Sequence, residues 1–381
     1  MNFYKYYMKF KRTILACIAI AFFACKSSTI GNKEVSAPKN VILLISDGTG
    51  LSQISSAFYF KDSLPNYARF KDIGLIKTSS SREDVTDSAA GATAFACGVK
   101  TYNGAIGVAD DSTEVKNLVE IVSMKNIRTG MIATSSITHA TPASFFAHTL
   151  SRGSTEEIAL QLVESEVDFF AGGGLQFFNK RKDGRNLLNA LNKKKFTVDT
   201  TSLDDFSKIR SSEKAAYLLA ENDMAPAAEG RGDFLSTATT LAIQFLSKDD
   251  AGFFMMAEGS QIDWAGHQNN GPYLVSELID FDDAIGKALD YAEKDGNTLV
   301  VVTSDHETGG FTLSAKKKKR EDGSEYSDYS EAGITFSNGG HSATLIPVFA
   351  FGPGSKAFVG VYENNDIFEK ILKVTKWRGQ D

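Results

Sequence analysis

A serine, Ser88, follows an aspartate, Asp87, at the head of the small-residue run SAAGATAFAC. The pattern predicts a helix start, where unpaired backbone N–H groups and the helix dipole favour negative charge. A hydroxyl held there is well placed to become an alkoxide and to carry a phosphoryl group. Aspartate and serine also serve as plain helix caps, so the pair takes its meaning from its company. Asp47 ends the apolar run NVILLIS, Glu258 follows GFFMMA, and Asp305 and His306 follow TLVVVTS. His139 and Thr141 come just after GMIATSS. Asp263 and His267 are spaced DxxxH, which puts both on one face of a helical turn. Mixed nitrogen and oxygen ligands suit zinc, and all-oxygen sets suit magnesium. A serine among such ligands is equipped for metal-assisted phosphoryl transfer.

These residues need a scaffold that brings distant segments to one edge. The runs at 40–46, 130–134, 167–171, 252–257, 298–303 and 345–351 are short and continuously apolar. Such runs suit strands buried on both faces. Helix-like stretches lie between them, at 115–125, 155–166, 234–247 and 273–294. The alternation predicts an α/β fold, a three-layer α/β/α sandwich around a mainly parallel central sheet. Ligands in such folds gather at the carboxyl ends of the strands, where the polar residues above fall. The AGGG at 171–174 lacks the spacing of a phosphate-binding loop and reads as a turn.

The chain has 381 residues, 42% hydrophobic and 23% charged, with a net charge of -6. Without a broad basic excess, nucleic-acid-specific binding is not expected. The run Lys316–Arg320 is followed by EDGSEYSDYSE and reads as a solvated loop. At the N-terminus, Lys9, Lys11 and Arg12 precede an apolar stretch ending at Cys25. This has the form of an export signal, too short to span a membrane. Residues 1–25 read as a lipoprotein-type signal peptide with Cys25 lipidated; cleavage by an ordinary signal peptidase is the competing reading. Met8 competes with Met1 as the start. Residues 26–38 read as a flexible tether and 39–381 as the catalytic domain, with a surface insertion at 310–338. The expected location is periplasmic or at the cell surface, held to a membrane only through the lipid. Of three cysteines, Cys17 and Cys25 lie in the signal. Cys97 is left to be a packed core thiol, with no intrachain disulfide in the mature protein.

From about Asn40 nearly to its C-terminus the chain resembles the alkaline phosphatase family. The resemblance rests on NVILLISDGTG, TDSAAGATAFACGVKTYNGAIGV, THATPASFFAH with Ser151-Arg152, AEGSQIDWAGH, VVTSDHETGG and GGHSATLIPVFAFGPGS, in the family's order. It implies two zinc ions and one magnesium ion. Asp263, His267 and His341 would hold the first zinc. Asp47, Asp305 and His306 would hold the second, with Ser88 joining as the alkoxide. Thr141 and Glu258 would join Asp47 at the magnesium. His139 and Trp264 match variable positions near the magnesium and the phosphate, and are expected to stand behind the ligands. Arg152, eleven residues after Thr141, would clamp the phosphate with its planar fork, and Asp87 would orient it. His148, in the apolar run SFFAHTL with no evident carboxylate partner, reads as structural.

The implied activity is hydrolysis of small phosphomonoesters with broad specificity, through a phosphoserine on Ser88, releasing phosphate. Relatives are commonly dimers, which makes a homodimer an open expectation. The rival enzymatic reading is a phosphodiesterase of the same superfamily. A non-catalytic phosphate-binding surface lipoprotein is the rival of another class; decay of that kind would be expected to lose Ser88 or a histidine ligand, and none is lost.

Overall fold

The computed structural model describes residues 37–203 and 205–378. The expected signal and lipidation site, and most of the tether, lie outside the described residues. Ten strands form one sheet: β1 (Asn40–Ser46), β2 (Asp72–Lys77), β3 (Arg128–Ser136), β4 (Phe169–Gly173), β5 (Phe196–Asp199), β6 (Lys214–Leu218), β7 (Phe253–Gly259), β8 (Thr298–Thr303), β13 (Ile346–Phe351) and β14 (Gly360–Glu363). Four more strands lie outside it: β9 (Glu307–Thr308), β10 (Thr312–Lys319), β11 (Glu325–Thr335) and β12 (His341–Ser342). The sheet order is β14-β2-β13-β8-β1-β7-β3-β4-β6-β5. All its ladders are parallel except those of β13, which runs against β2 and β8.

Successive strand side chains point to opposite faces, and β1 shows the consequence. Val41, Leu43 and Ile45 enter one hydrophobic core, while Ile42 and Leu44 enter another. The first core is closed by the helices Ser88–Cys97, Leu118–Ser123, Thr155–Glu164 and Asp366–Thr375, the second by Leu51–Phe60, Phe234–Leu246 and Gly271–Asp295. The three-layer sandwich is therefore present. Residue type alone accounts for the fully buried NVILLIS strand, since a strand covered on both faces has no polar side.

The segment 310–338 differs from the expected loop. It folds into an antiparallel ribbon of β10 and β11 that turns at Gly323, where φ is +85. Its charge alternation acts across the ribbon: Lys316 and Lys318 pair with Glu331, and Lys318 also with Asp328. In AGGG, Gly172 and Gly173 still belong to β4, and the turn comes at Gly174. No helix among the described residues is long and apolar enough to cross a membrane.

Candidate active site

The carboxyl ends of β1, β3, β7 and β8 deliver the side chains. Asp47 follows β1, Glu258 lies near the end of β7, and Asp305 and His306 follow β8. His139 and Thr141 enter at the short helix Ala140–Ala143 after β3, and Asp263 and His267 sit on the helix Gln261–His267. His341 arrives on β12, paired with Thr308 of β9. Two glycines permit the crowding. Gly48 has φ +72, and a Cβ there would stand 2.6 Å from the Asp263 Cα. A Cβ at Gly91 would stand 2.9 Å from the Asp305 Cβ, so glycine lets the Ser88 helix lie against that carboxylate.

Three groups of ligand atoms result, each within 4.8 Å: Asp263 with His267 and His341; Asp47 with Asp263 and His306; and Asp47 with His139 and Glu258. Shared carboxylates join them into one centre. Asp305 Oδ2 lies 3.3 Å from His306 Nε2 and completes the middle group. His139 was expected behind the ligands; its ring reaches into the third group. Trp264 stands behind it, with ring centroids 6.0 Å apart and nearly perpendicular planes.

The fit to cations follows from what these atoms lack. Asp47, Glu258 and Asp305 are fully buried. Both oxygens of Asp47, Glu258 Oε1, Asp305 Oδ2, Thr141 Oγ1 and His139 Nδ1 are buried without a hydrogen-bond partner. Orphaned polar atoms in such number are rare and costly in a folded chain. Burial and the nearby carboxylates of Asp305, Asp263 and Glu258 push Asp47 well above the usual carboxylate range. Burial likewise pushes Glu258 up to about 8, although Ser260 donates to it. A divalent cation would relieve both effects.

The histidines are pre-oriented. His267 Nδ1 lies 2.7 Å from the Gly339 carbonyl and His341 Nδ1 2.8 Å from the Thr86 carbonyl. A carbonyl only accepts, so each Nδ1 carries the proton and each Nε2 presents a lone pair. Those two Nε2 atoms face one another at 3.1 Å, an arrangement suited to a shared cation.

Ser88 is the first residue of its helix and is buried. Its Oγ lies 3.4 Å from His306 Nε2. Asp87 does both jobs open to it. One oxygen caps the helix at Ala90 N–H, and the other accepts from Gly104 N–H and from Arg152 Nη1 at 2.9 Å. Arg152 Nη2 stands 3.2 Å from His139 Nε2. Burial and the Arg152 charge lower His139 to about 4, so its ring is neutral at ordinary pH. Every residue expected at the site is thus in one place. His148 is structural, but it does have a carboxylate: Glu120 lies 3.3 Å from its Nε2, and its Nδ1 is 2.7 Å from the Gly107 carbonyl.

Two supporting residues stand inside the quoted motifs without an assigned role, Ser260 in AEGSQIDWAGH and Glu307 in VVTSDHETGG. Ser260 donates to Glu258, and its oxygen accepts from Ser135 N–H. The buried Glu307 carboxylate accepts from Gln53, Phe311 N–H and Ser342, tying together the segments that carry His306 and His341.

An α/β sandwich with a serine at a helix head, beside clustered carboxylates and histidines that could hold metal ions, has the form of a hydrolase active site. The family model described as alkaline phosphatase matches residues 38–322, and the chain belongs to the alkaline phosphatase family. Alkaline phosphatase 3 of Bacillus subtilis is 33% identical over 97% of this chain and 98% of its own length. The alkaline phosphatase of Escherichia coli is 29% identical over 87% of this chain and 84% of its own. Among solved structures, the alkaline phosphatase from the Antarctic bacterium TAB5 is 68% identical, covers 90% of this chain and 99% of its own, and superposes with a TM-score of 0.88. A variant of that enzyme with a histidine changed to aspartate has magnesium bound in its M3 site. The chain is an enzyme that hydrolyses phosphomonoesters, of a metal-dependent family.

Proposed function

We propose that the chain hydrolyses small phosphomonoesters with broad specificity through a phosphoserine on Ser88. The observation that carries this is the Ser88 Oγ at a helix N-terminus, 3.4 Å from His306 Nε2 and beside buried carboxylates with orphaned oxygens. Asp263, His267 and His341 would hold one zinc, and Asp47, Asp305 and His306 the other. Asp47, Thr141 and Glu258 would hold magnesium, with His139 at its border. When bound, these ions would neutralise charge on the attacking and leaving oxygens and favour ionised Ser88 and water.

The chain's own residues do the positioning. The Ser88 helix N-terminus favours the alkoxide, which attacks phosphorus in line with the departing alcohol. Arg152, fixed by Asp87, grips two equatorial oxygens. Water then attacks phosphoserine from the side the alcohol left, and Ser88 is restored. Two displacements predict retention at phosphorus, inhibition by phosphate and transfer to added alcohols.

We further infer export and anchoring through Cys25, supported by the charged and apolar N-terminal segments. Labelling cells with a fatty-acid analogue, with Cys25→Ala as control, tests this. The activity is tested by comparing kcat/KM for p-nitrophenyl phosphate and bis-p-nitrophenyl phosphate. A strong monoester preference, abolished by EDTA, is expected. A diester preference would move the chain to the phosphodiesterase branch and remove the role given to Arg152.

A further inference from the structure

Thr308 is fully buried in β9, two residues past His306 in the run VVTSDHETGG, where no role was expected of it. Its hydroxyl donates to Asp263 Oδ1 and lies 3.2 Å from His306 Nδ1. A threonine hydroxyl has one proton. With that proton given to the Asp263 carboxylate, the contact with His306 requires a proton on Nδ1. His306 is then the tautomer whose Nε2 carries the lone pair. Nε2 is the atom that faces Asp305 Oδ2 at 3.3 Å, Ser88 Oγ at 3.4 Å and Asp47 Oδ1 at 3.5 Å. The carboxylate at the other end of the chain belongs to the neighbouring cluster, 3.4 Å from His267 Nε2 and 3.6 Å from His341 Nε2.

The hydroxyl is held in this direction. Thr308 N–H donates to the Gly48 carbonyl, its own carbonyl accepts from Gln53, and its backbone pairs with His341. Its methyl group lies against the Asp263 helix at Gly266. A Cβ added at Gly266 would stand 3.0 Å from Thr308 Cγ2 and 2.9 Å from its carbonyl oxygen. A β-branched side chain pinned by its methyl has one χ1 available, so Oγ1 points between Asp263 and His306.

We propose that Thr308 is a positioning residue that couples the two zinc clusters through one hydroxyl, setting the His306 tautomer and the Asp263 carboxylate together. This rests on the zinc assignment given above. Outer partners of metal ligands typically govern about 10–100-fold in metal affinity, and Thr308 would do so at both clusters.

The test is a zinc titration of the metal-free full chain against a chromophoric chelator, with histidine 15N resonances reporting which cluster fills. Thr308→Val keeps the shape and removes the hydroxyl; Thr308→Ser keeps the hydroxyl and removes the methyl. Thr308→Val is expected to bind zinc about 10–100-fold more weakly at both clusters and to lose the single His306 tautomer. Thr308→Ser is expected to retain zinc affinity and to melt earlier, having lost contact with Gly266. The proposal is overturned if Thr308→Val binds within twofold of the parent, or if the loss is confined to one cluster. Should Thr308→Val not fold, Thr308→Ser decides, since weakened zinc binding in it would show that the hydroxyl is not what matters. Failure of the parent chain to take up zinc at its histidines would instead sink the zinc assignment.

Discussion

In the proposed mechanism Ser88 is the nucleophile, Arg152 the phosphate clamp, and His139 the residue that sets which ion the third group prefers. Ser88→Ala should lower kcat by about a thousandfold or more, since one positioned group commonly supplies several powers of ten. It should also abolish phosphoenzyme trapped by acid quench; residual labelling elsewhere would displace Ser88 from its role. Arg152→Ala removes a charge-assisted fork, worth about 1.5–3 kcal/mol. The inhibition constant for phosphate should therefore rise roughly 10–100-fold, read in competition with substrate. His139 brings a nitrogen to a group otherwise made of oxygens. Magnesium prefers oxygen alone. His139→Asp should strengthen magnesium binding about tenfold or more, measured by calorimetry on zinc-loaded protein, and an unchanged constant would place His139 outside the group.

At the scale of elements, the loop that carries Arg152 is tied down by His148. That residue bridges the Gly107 carbonyl and Glu120, next to the pairing of Thr149 with Ile106. The bond with Glu120 raises the His148 pKa. A raised value means that the folded chain holds the proton more tightly. The added stability is complete below about pH 6.5, the ordinary histidine value, and fades as pH climbs through the folded value. The melting temperatures of the parent and His148→Gln should differ by about 2 °C at pH 5.5 and converge by pH 9. A constant gap would mean that His148 acts by packing alone.

The whole molecule concentrates buried carboxylates at one sheet edge, where a proton or a cation must answer their charge. Asp47 and Glu258 are both raised in the metal-free chain, Glu258 to about 8. A raised carboxylate binds its proton more tightly folded than unfolded. Without metal, ionising Glu258 therefore costs stability progressively from about pH 4.5, and the cost is complete above about pH 8. Metal binding needs the ionised form and strengthens over the same interval. The gap in melting temperature between metal-loaded and EDTA-treated protein should widen by about 5 °C or more from pH 5 to pH 8.5. A gap independent of pH would mean that these carboxylates are not what the metals neutralise.

Residue type and spacing already marked the candidate ligands and the layers that carry them. Asp47, Glu258 and Asp305 were legible because each interrupts or follows an apolar run, and strand ends are where an α/β sheet exposes polar groups. Ser88 with Asp87 was legible from the small residues after them. The edge strands β5 and β14, and β2 beside β14, were not, since short, half-exposed strands lack a continuous apolar run. The ribbon at 310–338 was hidden for a related reason: its charge pattern means pairing only once a turn brings the two strands together. Tertiary structure alone decided that His139 reaches the third group, that Glu120 meets His148, and that Thr308 stands between Asp263 and His306. Each of those contacts joins segments from different elements, and distance between elements is set by packing, to which local residue order gives no measure.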